Sequence, residues 1–170
     1  MSPVAIRRLD EADWEQFREI RLRALRQDPE AFSATAAEAE RLTEAEWRAR
    51  LRTRAAFVAE NAGRLVGLVS GIAAEPSERG AHPDAAELIS MWVDPEYRGK
   101  GIADQLVEVV AGWAAADGYA RLRLCVVEGN RAAERLYLRC HFRPTGERQP
   151  LGRGNRMESV MERPLKAAAT

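Results

Sequence analysis

The sequence predicts a single mixed α/β domain in which seven strands and four helices form packed layers. Two kinds of pattern support this fold class. Apolar residues recur at helical spacing in four segments, and short alternating or wholly apolar runs bounded by turn residues occupy seven others. A length of 170 residues suits one domain with one substantial core. We expect this domain to span residues 1–164, and residues 165–170 to form a disordered tail.

The first third of the chain predicts one strand and two helices. Residues 4–9, VAIRRL, alternate weakly and suit the first strand. Apolar residues then recur at helical spacing over residues 11–27, and Pro29 ends this helix because it disfavours helical angles at the residue before it. A second helix begins at Thr43, where TEAE predicts a capping box between Thr43 and Glu46.

The middle of the chain predicts three consecutive strands. The runs AAFVAEN and RLVGLVSGIAA flank the turn NAGR, which indicates a hairpin with Gly63 at a positive φ angle. A polar loop with two prolines follows over residues 75–84. Residues 86–93, AELISMWV, are nearly apolar on both faces, which is typical of a strand at the centre of a sheet.

The last third alternates helices and strands. Apolar residues at helical spacing indicate a helix from Ile102 that ends near Gly118, and ARLRLCVV is the next strand. A further helix begins at Asn130, a favoured N-cap residue. The segment FRPTGERQPLGRGNRMESVMERPL predicts a final hairpin around a glycine-rich loop. The predicted order of elements is therefore β-α-α-β-β-β-α-β-α-β-β.

The composition excludes several classes of protein. Lys+Arg and Asp+Glu both number 26, so the chain lacks the basic excess of a nucleic-acid binder. No apolar run approaches the roughly 20 residues that span a bilayer, and the first residues lack the apolar core of a secretion signal. The two cysteines, Cys125 and Cys140, have no metal-ligand spacing. We expect a cytoplasmic protein with reduced thiols, no metal, no nucleic-acid partner and no membrane partner.

The segment DPEYRGKGIA, residues 94–103, places two glycines and two cations where a predicted strand gives way to a helix. Backbone N–H groups at a helix start lack partners within the helix, and the helix dipole adds positive potential there. Gly99 and Gly101 would let a ligand approach the backbone closely, while Arg98 and Lys100 add charge. These features predict a phosphate-binding turn, although an ordinary strand-to-helix turn has the same composition. The P-loop signature is absent, and Asp104 replaces the third glycine of the dinucleotide-binding fingerprint.

The run RGKGIA over residues 98–103 fits the Arg/Gln-x-x-Gly-x-Gly/Ala motif of the GNAT family of N-acetyltransferases, which the chain resembles over most of its length. The resemblance implies a central, twisted, mostly antiparallel sheet of about seven strands flanked by helices. It implies acetyl-CoA as co-substrate, with its pyrophosphate on this turn and its pantetheine arm along the main chain of residues 91–93. One of those main-chain amides could polarise the acetyl carbonyl. The implied cofactor-binding residues are Met91, Trp92, Val93, Arg98, Gly99, Lys100, Gly101, Ile102, Ala103 and Asn130.

A second motif, NRAAERLYLRCHF, occupies residues 130–142. Tyr137 lies two helical turns after Asn130 and so on the same face, a position that half-buried packing also explains. The motif resembles the Asn-x-x-Ala-x-x-Leu-Tyr pattern of the family, with Ala133 and Leu136 at the intervening positions. The resemblance implies that Tyr137 donates a proton to the departing coenzyme A thiolate. His141 stands where the family often has glycine.

A general base is also required, because only a neutral amine attacks a thioester. Glu87 lies on the predicted strand of residues 86–93, and strand alternation would put its side chain on the same side as Met91 and Val93. Some family members place a glutamate base there, and burial would raise its pKa toward neutrality. A solvated role for Glu87, with water as the base, stays open. Acceptor selection would fall to the loop after the first helix, to residues 75–85 and to residues 145–155.

We therefore expect an enzyme that moves the acetyl group of acetyl-CoA to a primary amine of a small molecule or peptide by direct attack in a ternary complex. Neither cysteine occupies a motif position that would indicate an acyl-enzyme. An alternative is a non-catalytic acyl-CoA sensor, against which Tyr137 argues because sensing needs no proton donor. A mononucleotide-binding domain is a third reading. Homodimers are common in the family, so a homodimer is a compatible assembly.

Overall fold

The computed structural model describes residues 2–76 and 80–166. Over these residues the chain forms seven strands and five α-helices, and the strands lie in one sheet in the order β1-β2-β3-β4-β5-β7-β6. This confirms the predicted mixed α/β fold. In chain order the elements are β1 Ala5–Arg8, α1 Trp14–Gln27, α2 Ala36–Glu40, α3 Glu44–Arg52, β2 Ala55–Asn61, β3 Arg64–Ala73, β4 Ala85–Val93, α4 Ile102–Ala116, β5 Arg121–Val127, α5 Arg131–Arg139, β6 Arg143–Pro150 and β7 Met157–Pro164.

The chain divides into two compact units. The first comprises the chain up to Ser70 together with Ser90–Leu106, and the second comprises Gly71–Ile89 together with the chain from Val107 onward. The division falls within β3, β4 and α4, so each of these elements contributes residues to both units. The single domain over residues 1–164 stays a prediction. Residues 167–170 of the expected tail lie outside the described residues.

The core of the first unit lies where α1 packs on α3. Phe17 and Trp47, both fully buried, meet edge to face with ring centroids 5.5 Å apart. The predicted capping box at the start of α3 is confirmed: the Glu46 N–H donates to Thr43 Oγ1 at 3.3 Å, and the Thr43 N–H donates to the Glu46 carboxylate at 2.7 Å. This box fixes the start of α3 and therefore which of its faces meets α1.

Local sequence also sets the β2–β3 hairpin. The turn consists of Ala62 and Gly63, whose φ angles are 47° and 81°. Positive φ at both central residues matches the right-handed twist of the flanking strands. The prediction that Gly63 adopts a positive φ angle is confirmed.

The short helix α2 was not predicted. Thr35 caps it by accepting from the Glu38 N–H at 3.2 Å, and the Glu38 carboxylate accepts the Thr35 N–H at 2.9 Å. The sequence TAAE thus repeats the capping-box pattern of TEAE. At five residues the helix is too short to show apolar periodicity, which is why this pattern did not indicate it.

In the second unit, β5 lies between β4 and β7. It pairs in parallel with β4 from Ala85 opposite Arg121 to Glu87 opposite Arg123, and it pairs antiparallel with β7 along its whole length. The predicted final hairpin is confirmed as the antiparallel β6–β7 pair. Alternate residues of β5 are apolar and buried, while the residues between them, Arg121, Arg123 and Cys125, carry polar groups on one face.

Across residues 2–76 and 80–166, no helix is both long enough and apolar enough to cross a membrane.

Candidate functional site

The segment before the glycine turn is fixed by Asp94. Its buried carboxylate, 4% exposed, accepts the Glu96 N–H at 3.1 Å and an Arg64 N–H at 2.9 Å. Its backbone N–H donates to the Val66 carbonyl at 2.9 Å. These bonds tie the 3-10 turn Pro95–Tyr97 to β3, so the glycine turn leaves the sheet from a defined position.

The glycine turn itself presents donors without partners. Gly99 and Gly101 have φ angles of 77° and 80°, and a Cβ added at either would meet no atom within 4 Å. The backbone N–H groups of Gly99, Gly101, Ile102 and Ala103 donate to no residue in the described part of the chain. They lie at the start of the 15-residue helix α4, where the dipole is positive. This geometry suits an anion with several oxygens, such as a pyrophosphate.

The two cations of the turn differ in their surroundings. The Arg98 guanidinium donates to the Val93 carbonyl at 2.9 Å and to Asp28 Oδ2 at 2.7 Å. Trp92 Nε1 donates to the same Asp28 oxygen at 2.7 Å. The Lys100 ammonium lies 5.2 Å from the centroid of the Tyr97 ring. The Arg98 guanidinium is thus paired with a carboxylate of the protein, that of Asp28. Its role as a phosphate ligand stays a prediction.

The C-terminal part of β4 is not a regular strand. Ser90 has a φ angle of 59°, which is rare for a residue other than glycine and marks a local irregularity in the strand. Trp92 and Val93 are buried, whereas Met91 is half-buried. The expectation that Glu87 shares a side with Met91 and Val93 assumed an uninterrupted strand. It stays a prediction, because the positive φ angle of Ser90 lies between Glu87 and those two residues.

Glu87 is half-buried on β4 in the second unit, opposite Arg123 of β5. Burial raises the pKa of its carboxyl above the usual value, and the nearby charge of Glu158 raises it further, against the opposing effect of Arg123. Arg123 is buried and pairs with Glu162 at 2.7 Å and with Glu147 at 2.6 Å. Glu87 therefore holds its proton to a higher pH than a solvated glutamate does, the direction expected of a general base.

Cys125, Gln149 and Glu158, which sequence reasoning did not assign to the site, form a polar group that the charge of Glu87 reaches. Gln149 Nε2 donates to Cys125 Sγ at 3.3 Å and to Glu158 at 3.1 Å. Burial, then the charges of Glu87 and Glu158, raises the pKa of the Cys125 thiol to about 12. A thiol with that pKa is not a nucleophile near neutral pH. These residues lie on three different strands, so only the register of the sheet brings them together.

Asn130 and Tyr137 belong to α5. Asn130 caps this helix by accepting the Ala133 N–H at 3.2 Å, as predicted. Tyr137 is 6% exposed, and its ring meets that of Phe142 at 5.7 Å. Burial, followed by Cys140, raises the pKa of the Tyr137 phenol, so this phenol stays protonated at neutral pH. The geometry fits both a proton donor and a packed aromatic residue.

His141 does not disrupt the end of α5. It adopts a φ angle of 71°, its N–H donates to the Leu138 carbonyl at 3.1 Å, and the Phe142 N–H donates to the Tyr137 carbonyl at 2.9 Å. This is the Schellman arrangement that glycine usually completes. Histidine therefore occupies a glycine-type position with the ordinary helix exit preserved.

Among residues 2–76 and 80–166, no group of three or more His, Cys, Asp or Glu side chains is arranged to hold a metal ion. Both cysteines are free thiols.

Comparisons of the sequence with known proteins match it to acetyltransferases. The profile described as "Acetyltransferase (GNAT) family" matches residues 8–142. Rat N-acetyltransferase 8F1 is 32% identical over 92 residues, which cover 54% of this chain and 41% of the rat protein. An uncharacterized N-acetyltransferase of Mycobacterium bovis is 34% identical over 113 residues, 66% of this chain and 68% of that protein. Over the four rat and cattle relatives, the match spans only 29% to 41% of their length.

Solved structures extend the similarity to the fold. The PaiA N-acetyltransferase of Thermoplasma acidophilum, in complex with coenzyme A, superposes with a TM-score of 0.70 at 18% identity, over 95% of this chain and 99% of that one. At this identity the likeness concerns the fold.

Proposed function

Because the chain belongs to the GNAT acetyltransferase family, we propose that it transfers the acetyl group of acetyl-CoA to a primary amine of a small molecule or peptide. The observation that carries this proposal is that the N–H groups of Gly99, Gly101, Ile102 and Ala103, at the start of α4, donate to no residue in the described part of the chain. The coenzyme A in the Thermoplasma acidophilum structure supports acetyl-CoA as the co-substrate. A cytoplasmic location and a homodimer stay predictions.

Binding of the co-substrate would use main-chain groups. The amides of residues 99–103 would hold the pyrophosphate, and the main chain of Met91, Trp92 and Val93 would pair with the pantetheine arm as an added strand does. Asp28 supports both segments from one side, since its carboxylate holds the Trp92 indole and the Arg98 guanidinium. A main-chain amide directed at the acetyl oxygen would stabilise its developing negative charge by about 3 kcal/mol.

The chemistry proposed is direct attack. Glu87, as its carboxylate, takes a proton from the incoming ammonium and leaves the lone pair on nitrogen. This nitrogen forms the new C–N bond, the C–S bond breaks, and Tyr137 protonates the coenzyme A thiolate. The second proton that the nitrogen loses as the amide forms restores the Tyr137 phenol, and Glu87 releases the first proton to water. The products are the acetylated amine and coenzyme A. The pKa of about 12 at Cys125 supports direct attack over an acyl-enzyme, because this thiol is not ionised at neutral pH.

An acceptor screen tests the proposal. Free-thiol release from acetyl-CoA is measured across a panel of amines for the wild type, Tyr137→Phe and Tyr119→Phe. Tyr119 is the matched control, because it contacts Trp113 outside α5 and loses the same hydroxyl. We expect turnover on at least one amine, a loss of about 10²-fold or more in kcat for Tyr137→Phe, and near-normal turnover for Tyr119→Phe.

The binding of coenzyme A, measured by calorimetry, separates the rival readings. Tight binding without turnover on any amine would support the acyl-CoA sensor instead. If Tyr137→Phe weakens coenzyme A binding and leaves kcat intact, the phenol is a binding group and the proton-donor role is wrong.

A further inference from the structure

Three arginines of the first unit lie where α1 meets α3 without a described carboxylate partner. Arg21 of α1 is only 9% exposed, and its guanidinium lies 4.9 Å from the centroid of the Phe32 ring. Arg50, in the last turn of α3, lies over the Trp47 ring at 5.6 Å. Arg54 follows this helix, and its Nε donates to the Arg50 carbonyl at 3.2 Å. We call Arg21, Arg50 and Arg54 the arginine cluster.

Two buried N–H donors, one on α1 and one on α3, lack an acceptor in the described part of the chain. Arg21 Nη1 and Trp47 Nε1 are both buried and have no hydrogen-bond partner among the described residues. A buried, charged donor without an acceptor is costly, and native proteins avoid it unless something outside the chain supplies the acceptor. Elsewhere on the protein, buried Arg123 has two carboxylates within 2.7 Å. Buried Arg21, unlike buried Arg123, therefore has no described carboxylate partner.

The charges of the cluster are not balanced by the protein. Burial, then Arg54 and Arg50, lowers the pKa of Arg21 to about 10, and burial followed by Arg50 lowers that of Arg54 to about 10. Both groups therefore stay protonated at neutral pH. The Glu46 carboxylate, which the charge of Arg50 reaches, is already engaged in capping α3 at Thr43. The buried charge of Arg21 thus lies near the charge of half-buried Arg54 and that of Arg50, with no described anion paired to it.

We propose that the arginine cluster is a binding site for a carboxylate or similar oxyanion, with Arg21 Nη1 as its central donor. A planar guanidinium matches the two oxygens of a carboxylate or of a phosphate. Phe32 covers one face of Arg21, which leaves the edge of the guanidinium for an in-plane anion. Because Arg21 is nine-tenths buried, a single anionic group reaches it, either as a small free anion or as the carboxylate of a larger ligand. The site does not depend on acetyl transfer.

Thermal unfolding tests the site directly. Tm is measured in acetate and in phosphate against chloride at equal ionic strength, without acetyl-CoA. An anion held tenfold above its Kd raises the Tm of the wild type by about 3–5 °C through linkage. Arg21→Met should lose this increment. The matched control Arg52→Met removes an exposed arginine of α3, one that pairs with Glu11, and should keep the increment.

A wild-type Tm that responds to acetate and phosphate no more than that of Arg21→Met overturns the proposal. If Arg21→Met does not fold, half-buried Arg54→Met is measured in its place, with the same expected loss. Kinetics distinguish the two sources of the anion once an acceptor is known. A KM raised only for acceptors that bear a carboxylate assigns the site to the acceptor, whereas an unchanged KM with a lost Tm increment assigns it to a free anion.

Discussion

Replacement of Gly101 by alanine separates the backbone strain of the glycine turn from its role in binding. Gly63, in the β2–β3 turn, is the matched control. The two glycines have φ angles of 80° and 81°, and an added Cβ meets no atom within 4 Å at either position. Gly101→Ala and Gly63→Ala therefore impose the same conformational change on the chain. Only Gly101 belongs to the turn with unpartnered N–H groups.

The cost in stability follows from the φ angle. An L-residue in the left-handed region costs about 1–2 kcal/mol, and the lower entropy of the unfolded alanine chain offsets about 0.4–1 kcal/mol of this. The net loss is about 0.5–1.5 kcal/mol for each variant, or a Tm lower by about 2–4 °C for a chain of this length. We expect the two variants to unfold at nearly the same temperature.

The affinity for coenzyme A should differ between Gly101→Ala and Gly63→Ala. The Cβ of Gly101→Ala would stand where the pyrophosphate approaches the amides, and the loss of one charge-assisted hydrogen bond costs about 1.5–3 kcal/mol. Calorimetry should therefore give a Kd raised about tenfold or more for Gly101→Ala and an unchanged Kd for Gly63→Ala. Equal Kd values for the two variants would refute the assignment of residues 99–103 to the pyrophosphate.

Three further predictions concern single residues. His141→Gly should raise Tm by about 1–3 °C, because glycine relieves the left-handed strain at the end of α5; a lower Tm in a thermal melt would contradict this. Gly112→Ala, at an exposed position inside α4 with free space around it, should stabilise the protein by about 0.5–1 kcal/mol in urea unfolding; a variant no more stable than the wild type would contradict this. Glu87→Gln should have a higher free energy of unfolding than the wild type at pH 8, and the difference between the two proteins should be smaller at pH 4. The reason is that the raised pKa of Glu87 makes the folded protein hold its proton more tightly, so wild-type stability falls as pH rises from the unfolded pKa through the folded one; parallel pH profiles of the two proteins would refute this.

Most of the fold could be predicted because its signals are local. The capping box at Thr43 and Glu46, the N-cap Asn130 and the turn glycine Gly63 each act within a few residues of sequence, and the structure places all of them as predicted. Helix α2 is the exception, since five residues are too few for periodicity to register.

The candidate site was predicted only in part, because its partners are distant in sequence. Glu158 and Gln149 join Glu87 through strand register, and Asp28 reaches Arg98 across 70 positions of sequence. No propensity of serine indicates that Ser90 would adopt a positive φ angle within β4. The burial of Arg21 could not be predicted either, because an arginine between apolar positions of α1 has the pattern of a solvated face. In the structure the packing of α3 buries it.

A single oxygen of Asp28 receives two donors, one from the strand and one from the loop before α4. The connection after α1 is therefore anchored at its first residue. Substitutions in this connection would be tolerated only if residue 28 remains a hydrogen-bond acceptor. Without that acceptor, the Trp92 indole and the Arg98 guanidinium would each lose a hydrogen bond. Among homologues, this position should be far less variable than its neighbours.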